Sequence, residues 1–350
     1  MTLLFKAPVS HPLQPYWDLS LASVQADVMR VALELKLFNL LAEPLPACVV
    51  ASRLHLHAGN TAYLLDMLWS MRLLERQKAD EAESDWHYRA SSLAARYLDQ
   101  DSPQHCGDAW SLRLHALRHF GQQLREQLRS GEASTAPRLT GTAANWQAAA
   151  RLQIAQEQRA ATVDAALTLI TQLPEFSRAE RLLDLGAGPA LVAIALAKAN
   201  PALHGEVFDL PETIRVAEQN IAAAALDTRL RCRSGDLTCD DFGEGYDLIW
   251  CSSVLHFVPD IDQALRKIHA ALRPGGVLVC AQAEIPERRD AARQMLSYYL
   301  SMRMLGRQLT HAGALRQAMQ GVGFSALETL HDVPFPMTPV TAVIGRRASQ

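Results

Sequence analysis

Apolar residues recur at helical spacing through the first part of the chain. Residues 17–42 (WDLSLASVQADVMRVALELKLFNLLA) carry apolar side chains at intervals of three and four, and Pro44 and Pro46 then end the pattern. This predicts two successive helices. Short amphipathic helices follow to residue 98, including TAYLLDMLWSMRLLER, and the segment WHYRA predicts a strand. Three helices with a small β wing are typical of a winged-helix fold.

The predicted wing carries acidic residues. They are Glu75, Asp80, Glu81, Glu83 and Asp85. A winged helix usually binds DNA, but DNA phosphates attract Lys and Arg, so this acidic rim indicates a protein–protein role. Residues 108–172 predict long helices, interrupted by the loop SGEASTAPRLTGTA.

From Arg181 onward, apolar strands alternate with helices in the order expected of a doubly wound α/β sheet. The predicted strands are RLLDL (181–185), GEVFDL (205–210), RLRCRS (229–234), YDLIWCSS (246–253), GVLVCAQ (276–282), SALETL (325–330) and TAVIG (341–345). The sequence LRPGGVLV places a Pro-Gly-Gly turn before the fifth of them. Seven strands are therefore expected.

Composition and charge restrict the partners. The chain has 350 residues, a formal net charge of -3 and a pI near 6.5, which gives no strong field for a nucleic acid or an anionic membrane. Six cysteines show no CxxC pair, no metal-ligand spacing and no preceding signal peptide. No run approaches the roughly 18 apolar residues of a membrane span. We expect a soluble, cytoplasmic protein that needs no metal and acts on a small molecule.

The first strand of the α/β region leads into a glycine-containing turn. Gly186 and Gly188 allow a sharp bend and close approach of the backbone to a ligand. Ligands of such sheets bind at the carboxyl ends of the strands, where the strand order reverses. The dinucleotide pattern G-x-G-x-x-G fails because Leu191 stands at its third glycine, which disfavours a nicotinamide cofactor.

Carboxylates stand at the ends of three successive predicted strands. Asp184 closes the first, Asp209 the second and Asp236 the third. A carboxylate at the position of Asp209 can accept hydrogen bonds from both ribose hydroxyls of an adenosine, whether in a dinucleotide or in S-adenosylmethionine. Asp236 is placed to reach an adenine edge. The three together indicate a nucleoside-binding edge of the sheet.

Motifs along nearly the whole chain resemble one family. They are ALELKLFNLLAEPL, MRLLER, YRASSLAARYL, LLDLGAGPA, FDLPETIRVA, SGDL, VLHFVPD, LRPGGVLV and LTHAGALRQAMQGVGF. FDLPET and VLHF are the most specific. The chain resembles class I S-adenosylmethionine-dependent methyltransferases of the plant caffeate and flavonoid O-methyltransferase type (O-methyltransferase family 2) and their bacterial natural-product relatives.

The resemblance implies a fold and an organisation in domains. It implies an α/β chain with a seven-stranded, Rossmann-like methyltransferase domain behind an all-α, winged-helix-like domain that serves dimerisation. The expected domains are a dimerisation domain at 1–105, a helical connector at 106–175 that contributes to the substrate pocket, and a catalytic domain at 176–350. A homodimer follows from the same resemblance, with no nucleic-acid or membrane partner.

Residue roles are also implied by the resemblance. It assigns Gly186 and Gly188 to the methionine moiety of S-adenosylmethionine, Asp209 to its ribose, and Asp236 with Leu237 to its adenine. Asp184, Leu210 and Ser252 complete the expected cofactor site. His256 is the expected general base, because an imidazole can take the proton of a substrate hydroxyl as the methyl group arrives.

The chain departs from the family pattern around His256. In many plant members the base is followed by an acidic residue and tryptophan and is oriented by two glutamates. Here Phe257 and Val258 follow it, and Gln282 and Gln308 stand at the positions of the glutamates. A neutral amide cannot stabilise an imidazolium as a carboxylate does. A weaker base leaves open an N- or C-methyltransferase, or other chemistry that uses S-adenosylmethionine.

The acceptor pocket has candidates in a helix between the fifth and sixth strands. Residues 287–309 place Met295, Tyr299 and Met302 along a helix, where they suit either a flat aromatic acceptor or the core. Trp146, Gln282 and Gln308 are further substrate-binding candidates. The preferred hypothesis is an O-methyltransferase acting on a hydroxyl of a small aromatic secondary metabolite. A nicotinamide oxidoreductase and a winged-helix regulator that binds a nucleoside are the remaining alternatives.

Overall fold

The structure is a computed structural model that describes residues 11–78, 85–131 and 143–349. Contacts divide the chain into two compact units, Met1–Gly107 and Asp108–Gln350. Within the described residues, no helix is both long and apolar enough to cross a membrane.

The first unit is a small helical domain with a three-stranded sheet. Its helices are α1 (Gln14–Glu34), α2 (Leu37–Leu40), α3 (Ala47–Leu54), α4 (Ala58–Ser70) and α5 (Ser92–Tyr97). Its strands β1 (Leu45–Pro46), β2 (Leu74–Lys78) and β3 (Trp86–Ala90) pair antiparallel in the order β1-β3-β2. This is the expected winged-helix outline, and WHYRA forms the predicted strand.

One predicted helix in this unit is too long. TAYLLDMLWSMRLLER begins in α4, but α4 ends at Ser70 and the last residues of the segment enter β2. The chain turns at Arg72, whose φ of 62° lies in the left-handed region, and a helix cannot continue through it. In the acidic rim, Glu75 pairs across the wing with Arg89 at 2.7 Å. Asp80, Glu81 and Glu83 lie outside the described residues.

Helices lead into the second unit. Helix α6 (Gly107–Ser130) is followed, beyond a predicted loop that falls mostly outside the described residues, by α7 (Ala143–Ala149), α8 (Ala155–Glu157) and α9 (Val163–Ile170). The stretches that join these three helices, Ala150–Ile154 and Gln158–Thr162, are π-helical.

The rest of the second unit contains a seven-stranded sheet. Its strands are β4 (Arg181–Leu185), β5 (His204–Asp209), β6 (Leu230–Ser234), β7 (Tyr246–Ser252), β8 (Leu272–Gln282), β11 (Ser325–Val333) and β12 (Val340–Arg346). Their order is β11-β12-β8-β7-β4-β5-β6, with β12 antiparallel to both of its neighbours and all other pairs parallel. Two short parallel strands, β9 (Glu284–Ile285) and β10 (Thr310–His311), form a separate pair. The helices are α10 (Leu191–Ala199), α11 (Pro211–Ala223), α12 (Ile261–Ala271), α13 (Arg289–Met304) and α14 (Ala314–Gly321).

All seven predicted strands are present, with small differences at their ends. The Pro-Gly-Gly prediction was wrong in its placement: β8 begins at Leu272, so this segment lies inside the strand. Gly275 and Gly276 exchange backbone hydrogen bonds with Arg347, and a shift in the β7–β8 register accommodates the segment. Pairing with the chain end therefore outweighs the local turn signal.

Both faces of the sheet are covered, because side chains alternate along each strand. Leu182 and Trp250 belong to one apolar cluster with residues of α9, α10, α11 and α13. Leu183 and Cys251 face the other cluster, with residues of α12 and α14. The strand order reverses at β4, which lies between β5 and β7. The segments after β4 and β7 therefore meet at the topological switch point, where α/β sheets bind ligands.

Candidate active site

The turn after β4 requires both glycines. Gly186 and Gly188 have φ values of 71° and 60°, in the left-handed region that side chains disfavour. A Cβ atom on Gly186 would lie 2.8 Å from Cγ2 of Val254, so a larger residue would also collide with the segment after β7. The amide of Gly186 donates to the carbonyl of Phe208 at 2.8 Å and ties the turn to β5.

Asp209 ends β5 and binds the same turn. Its Oδ2 accepts from the amide of Gly188 and its Oδ1 from the amide of Leu210, each at 2.7 Å. Burial raises the pKa of Asp209 to about 6, against the opposing effect of these two amides. A carboxylate oxygen can accept more than one hydrogen bond, so Asp209 can still accept from a vicinal diol.

Asp184 lies deeper than the other acidic candidates. It is buried, and its Oδ2 accepts from the amide of Ala193 in the first turn of α10 at 3.2 Å. Burial raises its pKa to about 7, and the nearby charge of Asp209 adds to the effect. The only hydrogen-bond partner that the described residues provide is this backbone amide, so the carboxylate supports α10 from within the protein.

The remaining cofactor candidates surround the ends of β6 and β7. The exposed Asp236 accepts from the amide and hydroxyl of Thr238 at 2.8 and 2.7 Å, and the hydroxyl bond above all holds its pKa below the usual value. Leu237 is buried beside it. Ser252, partly buried, is the last residue of β7.

His256 lies in a short 3-10 helix, Leu255–Phe257, directly after β7. The side chain is buried, and burial lowers its pKa to about 4, helped by the positive charge of Arg307. Its ring contacts the rings of Phe257 and Tyr299, with centroids 4.1 and 5.9 Å away. No hydrogen bond reaches its ring nitrogens from the described part of the second unit. The imidazole is therefore neutral at physiological pH and free to accept a proton.

Gln282 and Gln308 lie near His256 but are bonded elsewhere. The Gln282 amide is buried and points to the sulfur atoms of Cys251 and Cys280, at 4.0 and 3.8 Å. The amide of Gln308 donates to the carbonyl of Pro259 at 2.7 Å. Both residues and His256 line one cavity of about 490 Å³, with α12 and α14 in its walls. Neither amide is bonded to the imidazole, although the resemblance places both glutamines where the glutamates that orient the base would stand.

The aromatic and thioether candidates are not among the residues that line this cavity. Tyr299 packs edge-on against the imidazole, and Trp146 packs edge-on against Phe257 with centroids 5.2 Å apart. Met295 is buried, and its sulfur accepts a hydrogen bond from the hydroxyl of Thr338. Met302 is partly buried and packs against the apolar cluster that contains Met295. These contacts place α13 in the core beside His256, where Tyr299 contacts the imidazole and Trp146 contacts the neighbouring Phe257.

A buried ion pair was missed by sequence reasoning. Arg113 of α6 binds both carboxylate oxygens of Glu157, at 2.8 and 2.9 Å. The Gln153 amide oxygen, in the orientation that satisfies both groups, accepts from Nη2 of Arg113 at 2.7 Å. The guanidinium also lies 5.1 Å from the ring centroid of Tyr298, which stacks edge-on against Tyr299. The signal was the polar run QIAQEQR inside a buried helix, which polar residues normally avoid unless paired.

The described ranges contain no group of three or more His, Cys, Asp or Glu side chains arranged to hold a metal ion.

The fold and the turn at Gly186 and Gly188 define a Rossmann-like enzyme domain that binds a nucleoside. A winged-helix-like domain precedes it. Comparison with known families matches a methyltransferase domain to residues 155–329 and an O-methyltransferase dimerisation domain to residues 17–100. The chain belongs to the S-adenosylmethionine-dependent methyltransferases that carry this dimerisation domain, O-methyltransferase family 2. Two solved structures of this fold, human N-acetylserotonin methyltransferase and PigF, are complexes with SAM and SAH.

Individual known proteins are similar to this chain along most of its length. The tetracenomycin polyketide synthesis 8-O-methyl transferase TcmO of Streptomyces glaucescens is 29% identical, over 94% of this chain and 95% of its own. The N,N-dimethyltransferase OxyT of Streptomyces rimosus is 30% identical over 80% of both chains. The crystal structure of human N-acetylserotonin methyltransferase in complex with SAM has a TM-score of 0.74 at 22% identity and covers 98% of this chain and 100% of its own. That structure shares the fold.

The residues at the switch point fit the cofactor. Gly186 and Gly188 hold the turn in a backbone conformation that side chains disfavour, and Asp209 retains acceptor capacity for ribose hydroxyls.

Proposed function

We propose that this chain methylates a hydroxyl of a small aromatic metabolite, and that His256 accepts the hydroxyl proton. One observation carries the proposal. Val254 packs on Gly186 of the cofactor turn, and His256 follows Val254 by two residues. A methyl donor held at the turn and a proton acceptor are thus supplied by adjoining segments at one switch point.

The cofactor site follows from the same turn. Gly186 and Gly188 bind the methionine moiety, Asp209 the ribose, and Asp236 with Leu237 the adenine. Asp184, Leu210 and Ser252 support these contacts from the ends of β4, β5 and β7. When bound, S-adenosylmethionine supplies an electrophilic methyl group.

His256 acts as a weak base. A phenol has a pKa of about 10, so complete proton transfer to an imidazole with a pKa of about 4 is uphill by about 8 kcal/mol. The imidazole therefore takes the proton as the new oxygen–carbon bond forms. Correct placement of the hydroxyl provides much of the acceleration.

The acceptor binds beside His256. Trp146, Tyr299 and Met302 provide aromatic and thioether surface close to His256 and Phe257, with Met295 in the adjoining core. Gln282 and Gln308 provide amide groups in the cavity that His256 also lines. This combination suits a flat ring that carries polar substituents.

The chain works as a homodimer. Its residues 17–100 match a dimerisation domain, and α1 exposes apolar side chains that a monomer would leave in water. Tyr16, Leu19 and Val24 are 67%, 63% and 58% exposed in the single chain. An apolar face of this extent is typical of a protein–protein contact.

A second candidate function is methylation of an amine or carbon nucleophile. No described carboxylate is bonded to His256, so the described residues do not supply the charged partner that would strengthen an oxygen-deprotonating base. One relative, OxyT, is an N,N-dimethyltransferase.

The test is transfer of labelled methyl from S-adenosylmethionine to a panel of phenolic, amine and enolic acceptors. We expect label in the phenolic products, with transfer lost in Asp209→Ala and strongly reduced in His256→Ala. Label in amine or carbon products alone would replace the O-methyltransferase proposal with the second candidate. Absence of transfer to every acceptor class, from protein that binds the cofactor, would contradict both.

A further inference from the structure

The side chain of Gln158, which lies outside the sheet, is hydrogen-bonded to the turn at Gly186 and Gly188. Nε2 of Gln158 donates to the carbonyl of Ala187, between the two glycines, and Oε1 of Gln158 accepts from the amide of Leu191, each at 3.2 Å. The side chain is buried, with 8% of its surface exposed. One amide thus binds the turn and the first residue of α10 together.

This amide replaces a missing helix cap. Ala190, at the N-cap of α10, has a φ of 62° and no side chain that can accept from the first amides of the helix. Gln158 accepts from Leu191 in its place and donates to Ala187. The amide side chain offers both a donor and an acceptor, whereas a carboxylate lacks the donor and an aliphatic residue lacks both.

The helix that carries Gln158 is distorted where it meets the turn. The π-helical stretches Ala150–Ile154 and Gln158–Thr162 lie on either side of α8. Two consecutive residues of this helix bind different neighbours: Glu157 binds Arg113, and Gln158 binds the turn. Ile154, from the first π-helical stretch, lies 3.3 Å from where a Cβ of Gly188 would be. Such π-bulges are frequent at functional sites.

We propose that Gln158 is a positioning residue for S-adenosylmethionine, which holds the Gly186–Gly188 turn in the conformation that binds the methionine moiety. The proposal rests on the assignment of that turn to the cofactor under the proposed function. Gln158 itself need not touch the cofactor. Its loss leaves the Ala187 carbonyl and the Leu191 amide without their partner and allows the turn to sample other conformations.

Gln156 provides a matched control. It lies two residues earlier on the same distorted helix and is 7% exposed. Its amide also makes two hydrogen bonds, from the amide of Ala109 and to Oδ2 of Asp108, both at 2.9 Å. These bonds go to α6 and not to the turn. The two glutamines therefore share burial, bonding and helix, and differ in what they hold.

The experiment is calorimetric titration with S-adenosylhomocysteine of the wild type, Gln158→Ala, Gln156→Ala and Asp209→Ala, together with denaturant unfolding of each. We expect Gln158→Ala to bind ~10-fold more weakly, the effect of losing two neutral hydrogen bonds. Gln156→Ala should keep wild-type affinity while losing a similar amount of stability. Gln158→Glu, which keeps the acceptor but not the donor, should also bind weakly and guards against a poorly folded alanine variant.

Equal affinities of Gln158→Ala and Gln156→Ala would overturn the proposal and make Gln158 a structural residue only. In that outcome a loss of binding in Asp209→Ala would still support the proposed cofactor site. If the wild type itself fails to bind S-adenosylhomocysteine, the proposed site and the role of Gln158 both fall.

Discussion

The amide of Gly188 donates a hydrogen bond to Oδ2 of Asp209 at 2.7 Å. This bond joins the turn after β4 to the carboxylate that ends β5, so one element of the proposed site orients the other. It also places the amide dipole of the turn against the charge of Asp209. The protonation state of Asp209 and the conformation of the turn are therefore linked, and this linkage can be measured.

Cofactor affinity should fall in acid. Burial raises the pKa of Asp209 to about 6, and ribose hydroxyls donate to the ionised carboxylate, so binding favours the ionised form. Above pH 6 the affinity for S-adenosylhomocysteine should be constant, and below it the affinity should fall by about tenfold per pH unit. Calorimetry between pH 5 and 8 tests this. Asp209→Asn should bind weakly and show no such dependence; a wild-type affinity that stays constant to pH 5 would contradict the assignment.

Asp184→Asn should stabilise the cofactor-free protein at high pH. Burial raises the pKa of Asp184 to about 7, above the value of about 3.9 in an unfolded chain, so the folded state is progressively destabilised as pH rises from about 4 to 7. Asparagine can still accept from Ala193 and carries no charge. We expect a gain on the order of 1–3 kcal/mol at pH 8 that vanishes near pH 4, measured by denaturant unfolding. An equal effect at both pH values would exclude ionisation as the cause.

His256→Ala should lower turnover by about 100-fold and leave the affinity for S-adenosylhomocysteine unchanged. The pKa of His256 is about 4, so the wild-type kcat, with both substrates saturating, should show no acid limb from His256 between pH 5 and 8. The control is His204→Ala, since His204 is an exposed histidine at the start of β5. Unchanged turnover in His256→Ala would remove His256 from the mechanism.

Arg307→Gln should raise the pKa of His256. The positive charge of Arg307 disfavours the imidazolium, so its removal makes the imidazole easier to protonate, although burial continues to hold the pKa low. The exposed Arg307 can be replaced without disturbing the core. An NMR titration of the His256 ring protons measures the shift, with the exposed Arg303→Gln as the matched control. A downward shift, or the same shift in both variants, would be inconsistent with this account.

Removing one partner of the Arg113–Glu157 pair should lower the free energy of unfolding more than removing both partners. Arg113→Leu leaves a buried carboxylate without its partner and should cost about 3–5 kcal/mol of unfolding free energy. The double variant Arg113→Leu/Glu157→Leu removes both charges and should recover most of that loss. Arg89→Leu breaks the Arg89–Glu75 pair, 52% and 54% exposed, and should cost less than about 1 kcal/mol. If the double variant is no more stable than Arg113→Leu, buried charge is not the source of the loss.

The sequence alone determined the sheet and one edge of the site. Alternating and continuous apolar runs located all seven strands of the large sheet, because the local pattern of apolar residues reflects which faces of a strand are buried. Gly186, Gly188 and Asp209 could be placed together from sequence, because the carboxyl ends of adjacent parallel strands meet at one edge. The role of His256 came from the resemblance to the family and not from this rule; the structure places it in the 3-10 helix that follows β7.

Only the tertiary structure decided what supports that edge. Arg113 and Glu157 are 44 residues apart, and no local pattern indicates that they meet. Gln158 reaches the turn from a helix that precedes β4 in the chain, and Ala187, which accepts its hydrogen bond, is 29 residues away. Gln282 and Gln308 were placed near His256 from sequence, but their bonds go to cysteine sulfur and to Pro259, since a side chain's partner depends on packing that spacing does not encode. Periodicity therefore fixed the elements, and long-range contacts fixed which polar groups hold the site.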